Sequence, residues 1–95
     1  MSDRTIVFSP RARDRLEEIG DYLYEQRLSA EFVVEYLQRF EDWLEALLCE
    51  FPESGTPMPE LGEGIRRVVY RKYCFLYRVQ GNVIEIITVY RENLP

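Results

Sequence analysis

Six cations crowd the second half of this chain: Arg66, Arg67, Arg71, Lys72, Arg78 and Arg91. Guanidinium and ammonium groups grip anionic groups, so the chemistry open to such a set is recognition of a charged partner. Other reactive combinations are thin. There is no histidine, which excludes an imidazole base. Cys49 and Cys74 are the only cysteines, too few for a disulfide scaffold or, by themselves, a zinc site. Cys74 is the thiol to watch, because flanking arginines could lower its pKa. Glu17, Glu18 and Asp21 read as solvated helix surface, not as an acid–base pair, and so do Glu31, Glu35, Glu41, Asp42 and Glu45. Gly62-Glu63-Gly64 lacks the Lys-Ser/Thr that a phosphate loop needs. Nothing calls for a cofactor or a metal.

The charge distribution sharpens the point. The chain carries a formal net charge of −5. Up to Gly64 it has 6 Lys and Arg against 15 Asp and Glu; from Ile65 onward it has 6 against 2, Glu85 and Glu92. An acidic half followed by a basic one gives a dipolar surface and hints at a charged partner. Exposed strands do carry Arg and Lys simply to discourage edge pairing. Here, however, only Glu85 could neutralise the group from within the strands.

The elements that must position these cations follow from the pattern. Ninety-five residues at 46% hydrophobic content suit a single domain, residues 1–95, with one core. No run reaches the roughly 18 apolar residues of a membrane span, and "MSDRTIVFSP" has no apolar leader, so a cytoplasmic protein with reduced thiols is expected. "TIVF" is a short β-type run ended by "SP", with Ser9 as N-cap and Pro10 at the first helical position. Ala12, Leu16, Ile19 and Leu23 recur at helical spacing, which predicts a helix over 10–27. Ser29 caps a second, over 30–50, on Val33, Leu37, Phe40, Leu44, Leu47 and Phe51, a stripe widened by Ala30, Val34 and Leu48. Trp43 is expected to pack on it or at its rim, and Tyr22, Tyr24 and Tyr36 to flank the core. "PESGTPMPELGEG" (52–64), with three prolines and three glycines, predicts an irregular segment lying along the surface, pinned by Met58 and Leu61. Three β-type runs follow at 65–70, 73–79 and 82–90, joined by hairpin-length connections.

The order β-α-α-β-β-β implies an α+β fold: a helical hairpin on one face of an antiparallel sheet, with the first strand at an edge. Alternation puts Tyr73, Phe75, Tyr77 and Val79 toward the helices, and Cys74, Leu76 and Arg78 on the open face. Of the adjacent Arg66 and Arg67, one must share the open face while the other lies on the covered side or at its rim.

With these pieces placed, the chain resembles the RelE/ParE superfamily of bacterial type II toxins, and within it the ParE-like branch. The resemblance rests on "VFSPRARDRLEEIGDYL", on "FPESGTPMPEL" followed by "GIRRVVY", and on the closing "YCFLYRV" and "VIEIITVYR", over about residues 5–91. It implies a cytoplasmic toxin component of a toxin–antitoxin or plasmid-stabilisation system, held in check by a cognate antitoxin. ParE-like members are described as inhibitors of DNA gyrase that act by binding. RelE-like members cleave mRNA on the ribosome, using cations to stabilise the charge on a scissile phosphate. Three features favour the first role: Cys74 stands where the nucleases carry an arginine, no tyrosine follows Arg91 in "RENLP", and the sequence pI is about 4.8. Arg67, Arg78 and Arg91 keep the nuclease as the alternative, and a non-toxic co-repressor partner of the antitoxin is a further one. The resemblance implies no sequence-specific DNA binding by this chain. The six cations are the expected contacts to target or antitoxin.

Overall fold

A computed structural model describes residues 3–92. The elements run β1 (Thr5–Phe8), α1 (Pro10–Glu25), α2 (Ala30–Leu48), β2 (Thr56–Pro57), a 3-10 turn (Pro59–Leu61), β3 (Ile65–Tyr70), β4 (Tyr73–Gln80) and β5 (Val83–Arg91). Both expected caps form. Ser9 Oγ accepts from the Ala12 amide at 3.0 Å and Ser29 Oγ from the Phe32 amide at 3.1 Å, satisfying amides that a helix start leaves open. The helices stop two residues before the expected ends. Arg27 closes the first with a φ of 64°, the left-handed step that ends many helices.

The five strands form one sheet in the order β1-β5-β4-β3-β2. The β3–β4–β5 meander is antiparallel as expected, while β1 pairs with β5 in parallel, from Thr5 opposite Val83 to Phe8 opposite Ile86. Gly81, with a φ of 60°, makes the β4–β5 turn, in a conformation that glycine adopts without strain. A register shift between Leu76 and Tyr77 leaves Ile87 as the extra residue of β5.

Phe8, Ala12, Phe40, Leu44, Leu48, Val68, Phe75, Tyr77, Ile84, Ile86 and Val89 make the core between the helices and one sheet face. Phe40 is its hub, with the rings of Tyr70, Tyr73 and Phe75 at 5.4–5.7 Å in edge-on contact. Trp43 stacks on Tyr70 at 4.6 Å, the rim packing expected of it. Tyr36 joins the core, but Tyr22 and Tyr24 are half exposed and do not flank it.

The proline- and glycine-rich segment differs from expectation. It contributes β2, which pairs Thr56 with Arg67 and Pro57 with Arg66, so the sheet has a fifth strand. Neither Met58 nor Leu61 is its main anchor; Leu61 is exposed. The anchor is the Tyr77 hydroxyl, which accepts from the Gly55 amide at 2.9 Å and donates to the Pro52 carbonyl at 2.8 Å. Its ring lies fully in the core, so the hydroxyl reaches the segment from beneath.

Candidate functional site

Pairing settles where each cation stands. In β3, Val68 and Tyr70 face the helices, so Arg66 does too, and Ile65, Arg67 and Val69 face the open side. In β4, Cys74, Leu76 and Arg78 share that open side. Arg67 lies opposite Leu76, and Arg78 between Ile65 and Glu85. The six cations therefore occupy one sheet and its margins without sharing one surface.

Arg66 is committed to structure. Its Nη1 donates to the Gly55 carbonyl at 2.8 Å and to the Glu53 carbonyl at 3.1 Å, which makes it the second anchor of the segment that Tyr77 holds. Arg71 sits at the β3–β4 turn with a φ of 59°. Its guanidinium lies over the rings of Tyr36 (5.1 Å) and Tyr70 (5.2 Å), a cation–π arrangement on the helix side. Lys72 completes the same turn and is exposed. Arg91 pairs across the sheet with Tyr73, so it emerges on the helix side, beside α1.

That leaves Arg67 and Arg78 on the open face. The Arg67 side chain makes no ion pair or hydrogen bond among the described residues. Arg78 Nη2 lies 3.6 Å from Glu85 Oε1, with both side chains more than a third exposed, so the pair is weak. The Arg78 Nε is buried and makes no hydrogen bond, although its charged end remains accessible.

Beside Thr88 and toward the β3–β4 turn the open face is apolar. Val69, Cys74, Leu76 and Tyr90 are neighbours across β3, β4 and β5. Cys74 is 1% exposed, sheltered by these neighbours, so the thiol that sequence reasoning set apart is not accessible for chemistry. Val69 and Tyr90, each 38% exposed, rim the patch. Tyr90 is the residue that sequence reasoning missed here; its alternation with Val89 in "TVY" carried the signal.

Two further groups have shifted acidities. Burial raises the Tyr77 pKa above the ordinary tyrosine value, and the Gly55 hydrogen bond and Arg66 only partly offset it. Tyr73 is also raised, first by burial and then by Tyr36, with Arg91 opposing. Neither tyrosine is poised to lose a proton at neutral pH.

What this geometry offers is a half-apolar, half-cationic sheet face backed by an acidic helical layer. No helix among the described residues is long and apolar enough to cross a membrane. The model of the ParE toxin family of type II toxin–antitoxin systems matches residues 6–93. A structure of the chromosomal ParDE TA system from P. aeruginosa aligns with a TM-score of 0.74 at 20% identity, over 95% of this chain and 97% of that one. The toxin–antitoxin complex RelBE2 from Mycobacterium tuberculosis aligns with a TM-score of 0.58 at 21% identity, over 94% and 98%. No curated protein matches the chain. The two solved structures share its fold, and the family match spans nearly all of its length: the chain belongs to the ParE toxin family of type II toxin–antitoxin systems.

Proposed function

We propose that this protein is a toxin that acts by binding DNA gyrase, breaks no bond itself, and is neutralised by a cognate antitoxin in the cytoplasm. The match to the ParE family over residues 6–93 carries the reading. The open face supports it. Its accessible groups, the half-buried Arg67 and Arg78 and the exposed Val69 and Tyr90, are those of a recognition surface: guanidinium groups for acidic side chains and an apolar, aromatic patch to exclude water beside them. Arg66 has a structural role and leaves the set of contacts, whereas Arg67 and Arg78 head it. Arg71, Lys72 and Arg91 face the helix-side margins, where a partner that wraps the chain would meet them.

Induction of the chain with and without its antitoxin tests the reading. Growth arrest with loss of supercoiling, relieved by the antitoxin and abolished by Arg67→Glu with Arg78→Glu, is the expected result. Unimpaired supercoiling in arrested cells would refute it. A second reading, a ribosome-dependent endoribonuclease, draws on one observation: the Tyr90 hydroxyl bears on the same face as Arg67 and Arg78, where a scissile phosphate would lie against the guanidinium groups. Codon-linked mRNA cuts lost in Tyr90→Phe would select it.

A further inference from the structure

A small hollow lies where the N-terminal half of α2 meets the β3–β4 turn, on the far side of the sheet from Arg67 and Arg78. Its volume is about 170 Å³, and Phe32, Glu35, Tyr36, Arg39 and Arg71 line it. On α2, Phe32, Tyr36 and Arg39 recur at spacings of four and three, so they share one helix face. Arg71 joins them from the turn.

The lining combines two kinds of group. One is aromatic: the Phe32 ring stacks on Tyr36 at 5.9 Å and 27°, yet Phe32 stays 45% exposed. The other is cationic. The Arg71 guanidinium is held between Tyr36 and Tyr70, and a group fixed in this way gives up little freedom on taking an anion. Neither Arg39 nor Arg71 makes an ion pair among the described residues, and both are exposed. Glu35 stands four residues before Arg39, where helix ion pairs form readily, and still does not pair with it. Two guanidinium groups beside an open aromatic ring are thus left without an anion.

We propose that this hollow binds a nucleoside phosphate, free or within a single nucleic-acid strand, with the phosphate between Arg39 and Arg71 and the base against Phe32. The proposal goes beyond the gyrase reading and does not depend on it. Arginine forks match the oxygens of a phosphate, and a base stacks on an exposed ring whatever its identity. A carboxylate of an acidic peptide would satisfy the arginines and leave Phe32 uncovered. A duplex would keep its bases out of reach and press its phosphates on Glu31, Glu35, Glu41, Asp42 and Glu45 of α2. The nucleotide is the ligand that answers the whole lining.

Fluorescence anisotropy of a short, labelled DNA single strand with the full chain at low ionic strength tests this, with AMP, inorganic phosphate and a polyglutamate peptide as competitors. The strand binds, and Arg39→Gln and Arg71→Gln each weaken it at least about tenfold. Phe32→Leu weakens the strand at least about fivefold but leaves competition by inorganic phosphate unchanged. Two phosphate-binding cations give a salt slope of about 1.4, which Arg39→Gln roughly halves. Arg15→Gln, remote from the hollow, changes nothing. AMP that competes as strongly as unlabelled strand supports a site for free nucleotides, and weaker competition supports one for a strand. Absence of binding by the native chain, or native affinity in both arginine variants, overturns the proposal. Polyglutamate that displaces the strand better than AMP overturns it too, in favour of an acidic protein.

Discussion

Removing one oxygen from Tyr77 tests whether the segment 52–64 is held by the sheet or only lies against it. In Tyr77→Phe the ring stays in the core, where it is fully buried. The Gly55 amide, in a buried contact, loses its acceptor, and a stranded buried donor costs about 1–3 kcal/mol. The Pro52 carbonyl loses its donor in a partly exposed contact, for about 1 kcal/mol more. The sum, about 2–4 kcal/mol, is a large share of the roughly 5–15 kcal/mol expected of a domain. It should lower Tm by roughly 10–25 °C. Gly55→Ala attacks the same contact from the other side, because a Cβ there would lie 2.6 Å from the Tyr77 hydroxyl and 2.9 Å from the Arg67 carbonyl. Urea unfolding of both single variants and the double variant closes a thermodynamic cycle. The double variant should lose well under the sum of the two, since each change breaks the same bond. A loss below about 0.5 kcal/mol in Tyr77→Phe, or strict additivity, would refute the argument.

Further expectations concern the rest of the fold. Arg27→Gly relieves the positive φ at the end of α1 and should stabilise the chain by about 1 kcal/mol, seen as a Tm rise of roughly 4–8 °C; an unchanged Tm would deny that strain. Ser9→Ala removes both the α1 cap and the bond to the Ile87 carbonyl, and should cost about 1–2 kcal/mol in chemical denaturation. Tyr77 and Tyr73 hold their protons more tightly when folded than when unfolded. Stability from this source is therefore whole below about pH 10, the unfolded value, and declines as pH rises from there toward the higher folded values. Unfolding followed from pH 8 to 11 should show that decline, and Tyr77→Phe should flatten it. Arg67→Glu should abolish toxicity without shifting Tm by more than a degree or two, whereas Arg66→Ala should lower Tm by freeing the Glu53 and Gly55 carbonyls.

The legible parts of this molecule are those governed by short-range rules. Ser9-Pro10 and Ser29 announce helix starts because capping is a contact between residues three apart, and the period of Ala12, Leu16 and Ile19 announces the buried stripe. Strand alternation correctly divided Phe75 and Tyr77 from Cys74 and Arg78. It gives a face and not an accessibility, so it could not show that Val69, Leu76 and Tyr90 close over Cys74. Nor could it choose between Arg66 and Arg67, because that choice depends on the register of β3 against β4. The Tyr77 anchor joins residues 22 apart through a side chain that pattern reading assigns simply to the core. The same contact explains β2: proline and glycine forbid a strand that stands alone, yet two residues held down at Gly55 can pair with Arg66 and Arg67.

The most direct test of the functional account is a supercoiling assay with purified gyrase and the purified chain, run beside a translating extract in which mRNA 5′ ends are mapped. The account predicts loss of supercoiling with increasing chain, recovery on adding antitoxin, and messages that stay whole. Undisturbed supercoiling together with cut messages would contradict it.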